Sequence, residues 1–460
     1  MKLPELLMPA GDIEKAYYAF RYGADAIYCG SPMFSLRTRM NTFTEENIKE
    51  ITEYAHKNGR KVYVTMNGFP HEFMVETIKK HLQFLEKVKP DGIILADTGV
   101  LDLAHEYAPS VEKHLSVQTS TVNISSMKFW IKNGVKRIIL AREMTLEETK
   151  KVHSALPDLD LEIFVHGAIC MAYSGRCLLS NFMAARDANR GACAHSCRWN
   201  YRVYDENGYE VTMSNRQLSA SNKEDQKACK NHQVKKLSGR KIDIDEEGQS
   251  LNIHELEKKM HWEEEERKGE IIPVEEDFHG THIMSSRDMC MIELLQDVID
   301  AGVCSLKVEG RNKTIYYLAT VTRAYRKALD NIRDGKAFNE SLWREIHATG
   351  NRGFFAGFAK GKPQVSSEQY EANLSYATHD FVGVVKEWKN GRLRFEVKNR
   401  IDVGDMIEFI LPKIEDDFSL EAKNLVKSES SVEALHGGNG DGWMDCVKEV
   451  EKGVLMRKLK

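Results

Sequence analysis

TEENIKEITEYAHKNGRKVYVTM, residues 44–66, holds one full turn of the pattern that decides the fold. Thr44 followed by Glu45 and Glu46 reads as a helix start: a side-chain oxygen to cap the first N–H groups, and negative charge at the positive end of the helix dipole. Gly59 reads as the stop, because glycine enters the left-handed conformation without strain. KVYVTM, dense in β-branched and aromatic residues, then reads as a strand.

Working outward, the same alternation recurs about every 30 residues. Strands are expected at ELLMP (5–9), DAIYC (25–29), GIILA (92–96), HLSVQ (114–118), RIILA (137–141) and LEIFV (161–165). Strands alternating with amphipathic helical stretches give βα units and a parallel sheet. An eighth strand, SLKVEG (305–310), lies between the helical MIELLQDVIDAG and TIYYLATVTRAYRKALDNI. The expectation is an α/β fold: a TIM-like (β/α) barrel over residues 1–335, with a long cysteine-bearing insertion after strand seven at about 167–280. Loops leaving the C-terminal strand ends build the active sites of such barrels, so that insertion is where chemistry is expected.

Within the insertion, residues 241–280 hold 14 Asp or Glu against 5 Lys or Arg. Such a run reads as a solvated stretch and receives no catalytic role. After about residue 375 the period changes to two, in FVGVVKEW, RLRFEVKN and DMIEFIL, with Asn390-Gly391 between the first pair. Asn-Gly between alternating runs is a strong hairpin signal, so a small antiparallel β-barrel domain is expected over 378–460. Residues 336–377, with NRGFFAGF, form the connection.

The first residues, MKLPELLMPAGD, run straight into a strand without the basic and then apolar segments of a signal peptide. No stretch approaches the roughly 20 apolar residues that span a bilayer. A cytoplasmic protein is expected. Nine cysteines in a reducing compartment then read as thiolate ligands or redox groups rather than disulfides. The net charge of −4 argues against nucleic-acid binding through bulk charge but leaves a local basic face open.

Four cysteines cluster in VHGAICMAYSGRCLLSNFMAARDANRGACAHSCRW, with spacing Cys170-x6-Cys177-x15-Cys193-x3-Cys197. Four thiolates suit tetrahedral Zn2+ or a cubane [4Fe-4S] cluster, and the spacing does not choose between them. Cys29, Cys290, Cys304 and Cys446 are scattered singly and read as ordinary thiols.

That stretch, with MPAGD near the N-terminus, SLKVEGR at 305–311 and NRGFFAGF at 351–358, resembles the collagenase-like peptidase U thirty-two family. Within the family it is most similar to the TrhP-type members that hydroxylate transfer RNA at the wobble uridine. The resemblance implies an iron-sulfur cluster, prephenate as a required metabolite, tRNA as partner and 5-hydroxyuridine as product. It carries ligand roles onto Cys170, Cys177, Cys193 and Cys197, with Cys229 a rival for the fourth position. No stable protein partner and no membrane association are expected.

The barrel reading brings strand-end residues to one mouth: Gly11, Asp12, Ser31, Asn67, Asp97, Gln118, Thr119, Arg142, Glu143, His166, Glu309 and Arg311. A carboxylate metabolite such as prephenate wants guanidinium forks, for which Arg142, Arg176 and Arg311 are placed. His166, just before the cysteines, reads either as a proton donor or acceptor near them or as a histidine satisfied by a backbone carbonyl, and Glu309 joins it as a catalytic candidate. For RNA, Arg37 and Arg39, then Arg186, Arg190, Arg198 and Trp199, offer phosphate contacts and stacking. Lys386, Lys389, Arg392, Arg394, Lys398 and Arg400 make a second basic face. The competing readings are a peptidase, for which the chain has no HExxH or GxSxG motif, and a zinc-stabilised RNA-binding protein.

Overall fold

The computed structural model describes residues 3–31, 34–35, 43–169, 287–361, 376–438 and 440–460, and the backbone of five strands between 233 and 282. The cysteine run from Cys170 to Cys197, Cys229, Arg37, Arg39, Arg176, Arg186, Arg190, Arg198 and Trp199 lie outside the described residues.

Eight parallel strands close a barrel: β1 (Glu5–Ala10), β2 (Ala26–Gly30), β3 (Lys61–Met66), β4 (Gly92–Leu95), β5 (Lys113–Leu115), β6 (Arg137–Ile139), β7 (Asp160–Ala168) and β8 (Ser305–Val308). Each strand pairs with the next, and β8 closes the ring on both β7 and β1, with Ser305 opposite Glu162 and Glu5. The strands are buried on both faces, as their near-continuous apolar runs require.

Helices α1 (Ile13–Arg21), α2 (Glu45–Lys57), α3 (Val75–Val88), α4 (Thr98–Tyr107), α5 (Ile124–Lys132), α6 (Leu146–Ala155), α7 (Leu295–Asp300) and α8 (Ile315–Arg333) lie between or after them. Their starts are written in the sequence. Thr44 with Asn47 and Thr145 with Glu148 form reciprocal capping boxes. Asp12, Asp97, Asn123 and Thr314 each accept one N–H in the first turn. Asp12 and Asp97, placed at the mouth by strand position, are therefore helix caps.

Two strands are shorter than their apolar runs. β5 ends at Leu115 because the Ser116 side chain captures the Gln118 N–H and turns Val117–Thr119 into a 3-10 helix. β6 ends at Ile139. β7, by contrast, runs on to Ala168, since its outer half gains a new partner. The short strand Asp288–Cys290 runs antiparallel to it, with Cys290 opposite His166, and Phe354–Phe355 pairs on that strand. Between β7 and Asp288, Gln233–Leu237 pairs with Arg240–Ile244, and Met260–Glu263, Ile271–Asp277 and Gly280–His282 form a three-stranded antiparallel sheet.

The C-terminal residues form a curled antiparallel sheet that includes β9 (His379–Lys389), β10 (Arg392–Val397), β11 (Met406–Ile410), β12 (Phe418–Glu421), β13 (Asp441–Asp445) and β14 (Leu455–Leu459). Asn390 and Gly391 turn β9 into β10 with φ of 51° and 77°, the left-handed pair that a two-residue hairpin demands. Against the barrel, Tyr316 of α8 stacks on Phe381 at 5.1 Å. The buried Glu345, on the short helix α9 (Leu342–His347), accepts from Arg323 at 2.9 Å and from Arg457 of β14 at 2.7 Å. Arg457 also reaches Glu408, and Arg323 reaches Asp417. Charges removed from water this way must be mutually paired, and here they are.

Candidate functional site at the barrel mouth

The barrel floor is ionic, where such barrels usually stack branched apolar side chains. Arg137 contacts Glu5, Glu162 and Asp160, and Lys307 meets Glu162 at 2.6 Å. Burial raises the Glu162 carboxyl, but Lys307 and Arg137 outweigh it and hold it below the usual range. Two cations thus offset two carboxylates in the interior, with Asp160 at the edge. The Lys307 ammonium also lies 4.3 Å from the centre of the Tyr28 ring.

Above that floor, strand-end residues gather as the barrel reading requires. Arg311 donates from Nη1 to Ser35 at 2.6 Å and to Thr65 at 3.1 Å, and its guanidinium lies 5.7 Å from the Tyr28 ring centre. Thr65 in turn donates to the Cys29 carbonyl. Just past the end of β3, the Asn67 amide donates to Ser116, whose hydroxyl lies 3.3 Å from Gln118. Arg311, Asn67 and Gln118 are all buried. Arg142 is placed differently: it donates to the Ala168 carbonyl at 3.0 Å and covers the Phe164 ring at 4.1 Å.

His166 is buried among Tyr317, Tyr325 and Phe354. The Tyr325 hydroxyl spends its one proton on the Val165 carbonyl at 2.9 Å, so at 3.3 Å from His166 Nδ1 it accepts, which fixes the Nδ1–H tautomer. Burial, with Lys313 nearby, lowers the imidazole to about 3 against the pull of Glu309. Burial thus favours the neutral imidazole, which can hydrogen-bond at this strand end. Glu309 meets it through the backbone, its N–H donating to the His166 carbonyl at 2.9 Å and its own carbonyl accepting from Tyr317.

Burial disfavours the thiolate form of the described cysteines. Burial pushes Cys29, Cys290 and Cys304 up to about 12. Cys290 sits opposite His166, yet Tyr325 stands between them, 3.6 Å from the sulfur. Burial raises the Cys290 thiol and lowers the His166 imidazole, and both shifts disfavour a thiolate–imidazolium pair. One other arrangement imitates a hydrolase: Ser31, His81 and Glu45 lie in hydrogen-bond order at 2.9 and 2.8 Å. Ser31 is wholly buried and His81 belongs to α3 on the outside of the barrel, so the trio ties a strand end to two helices. Among the described residues, no cluster of His, Cys, Asp and Glu could hold a metal ion. The cysteine donor set therefore rests on the sequence alone. No helix among them is long and apolar enough to cross a membrane.

The C-terminal basic face is largely cancelled. Lys386 and Lys398 share Glu396, Arg394 meets Glu387 and Asp441, Arg392 meets Asp445, and Arg400 meets Asp402. Sequence reading missed Lys307, Glu162 and Arg137 of the floor, and Tyr28, Ser35 and Thr65 around Arg311. A charge in mid-strand, as in SLKV and LEIF, was the available signal.

Three relatives bracket the chain. It is 37% identical to "tRNA hydroxylation protein P" of Escherichia coli strain K12, over 99% of this chain and 97% of that protein. It is 36% identical to the "tRNA hydroxylation protein P" of Haemophilus influenzae, over 99% and 96%. A "Collagenase" of Porphyromonas gingivalis is 28% identical over 88% and 85%. The family description "Peptidase family U32" matches residues 11–369, which include barrel strands β2 to β8, and "Peptidase family U32 C-terminal domain" matches 377–457. By its barrel, its C-terminal sheet and these near-complete matches, the chain belongs to peptidase family U32.

Proposed function

We propose that this chain is a tRNA-modifying enzyme that hydroxylates the wobble uridine to 5-hydroxyuridine, using prephenate and a [4Fe-4S] cluster held by Cys170, Cys177, Cys193 and Cys197. The observation that carries this reading is the buried polar mouth of Arg311, Asn67 and Gln118. It is joined to near-full-length similarity with two proteins named for tRNA hydroxylation. A buried guanidinium braced by two hydroxyls suits a carboxylate metabolite, and Asn67 and Gln118 suit the edge of a base. Arg142 and Arg176 are the further anchors in this reading, His166 orders the β7–β8 end, and Glu309 faces the substrate. Arg37 and Arg39 hold the RNA backbone. A cluster, when bound, supplies electron transfer or a Lewis-acidic iron. The enzyme works in the cytoplasm with tRNA and without a stable protein partner.

The collagenase-like reading has one observation in its favour, the Ser31–His81–Glu45 order, and Ser31's complete burial against it. A fluorophosphonate probe separates them: the hydroxylase reading expects no label on Ser31. The decisive experiment deletes the gene in a strain without a redundant pathway and analyses tRNA nucleosides by mass spectrometry. Loss of 5-hydroxyuridine-derived nucleosides supports the proposal, and unchanged nucleosides defeat it. Anaerobic purification tests the metal: about four irons per chain with broad visible absorbance fit the cluster, and colourless protein with zinc does not.

A further inference from the structure

The loop leaving β3 carries exposed aromatic rings that the barrel does not use. At its root Gly68 donates its N–H to the Phe34 carbonyl at 2.8 Å. A Cβ on Gly68 would lie 3.0 Å from the same oxygen, so the two backbones are pressed together. Beyond that point Phe69 is 40% exposed and Phe73 76% exposed. The exposed His71 stacks on Phe73, with ring centroids 5.8 Å apart and planes 22° from parallel. The 3-10 turn Glu72–Met74 then leads directly into α3, so the loop is tied at both ends.

Single exposed apolar residues are ordinary on protein surfaces. Here two phenylalanines flank a stacked imidazole in the loop that follows Asn67, at the end of the barrel where such folds take substrate. We propose that this loop is a stacking platform for unpaired RNA bases adjoining the nucleotide that enters the barrel. The inference rests on the tRNA-hydroxylase reading above. Drawing one base into a barrel leaves its neighbours unstacked, and aromatic faces at the rim replace the lost stacking whatever the base. Charge plays little part, because Glu72 lies within the loop and Lys79 is occupied by Glu76 at 2.7 Å. The contact therefore releases few counterions.

The test uses the full-length, anaerobically purified protein and a stem-loop RNA carrying 2-aminopurine beside the loop uridine. The double variant F69A/F73A is expected to weaken binding about tenfold or more and to remove the fluorescence quenching, at unchanged slope of log affinity against log salt. F69A/F73W is expected to recover most of the affinity. Wild-type affinity in F69A/F73A overturns the platform and leaves the enzyme reading standing. A wild-type protein that binds no RNA removes that reading and the platform with it. A change of oligomeric state in F69A/F73A, with RNA affinity retained, assigns the rings to a second copy of the chain and also overturns the proposal.

Discussion

Gly167 and Glu309 are in backbone contact: a Cβ on Gly167 would lie 2.7 Å from the Glu309 carbonyl oxygen and 2.9 Å from its Cβ. Gly167 also holds φ at +107°, a conformation that L side chains rarely adopt. The outer half of β7 can approach the β8 end only because position 167 has no side chain. Gly167→Ala is expected to destabilise the fold by about 2–4 kcal/mol in urea unfolding. An unchanged midpoint would show that the close approach is not made in solution.

His166 gives the protein an acid-sensitive step. Its unfolded imidazole takes a proton near pH 6.5, and the folded one only near about 3. The unfolded chain therefore binds more protons between those values, and stability falls as the pH drops below about 6.5. From pH 7.5 to 5 the wild type is expected to lose up to about 2 kcal/mol more than His166→Gln. In NMR, the wild-type His166 ring resonances are expected to stay flat over the same range.

The floor quartet predicts a distinctive mutant pair. Glu162→Gln leaves Lys307 and Arg137 short of a carboxylate in the interior and is expected to cost about 3–5 kcal/mol. Adding Lys307→Met removes the orphaned ammonium and is expected to recover a large part of that loss. Additive losses in a double-mutant cycle would contradict the pairing.

At the seam between barrel and C-terminal sheet, Glu408 faces His379 at 3.8 Å and accepts from Arg457 at 2.9 Å, with Arg344 beside it. These neighbours hold its carboxyl down at about 2. A depressed carboxyl stabilises fully above its unfolded value of about 4.3, and the benefit is lost as the pH falls towards 2. Glu408→Gln is expected to be less stable at pH 7 and to show a shallower acid limb in thermal melts.

Arg311→Lys keeps the charge but loses the planar fork braced by Ser35 and Thr65. On the proposed hydroxylase function it is expected to lower 5-hydroxyuridine yield by about 100-fold with little change in melting temperature, read by nucleoside mass spectrometry. A yield near wild type would remove Arg311 from the substrate site.

The barrel was legible because its βα units carry local signals: Thr44 and Thr145 cap helices, and strands such as KVYVTM are apolar on both faces. The Asn390-Gly391 hairpin was legible for the same reason, since its φ values depend on two adjacent residues. What stayed hidden is non-local. That β5 stops at Leu115 depends on a Ser116 hydroxyl, and that β7 runs on to Ala168 depends on Asp288–Cys290, far along the chain. Ionic residues such as Lys307 and Glu162 look misplaced in a strand until their partners across the barrel are known. At the mouth, Arg311, Asn67 and Gln118 were found by strand position, whereas Ser35 and Thr65 bear no mark that they hold a guanidinium. The C-terminal lysines and arginines read as a basic face because their acidic partners sit on neighbouring strands.

The ring of strands closes only when β8 arrives, and 136 residues separate Ala168 from Ser305, against 30 between Gly30 and Lys61. By polymer statistics, each doubling of a connection adds about 0.6 kcal/mol to its closure, so this one adds only about 1.3 kcal/mol. The penalty is paid in time instead. Until β8 docks, β1 and β7 each keep an unpaired edge, and such edges invite pairing between chains. An insertion at this point of the ring is therefore expected to show as slow refolding that worsens with protein concentration, rather than as low equilibrium stability.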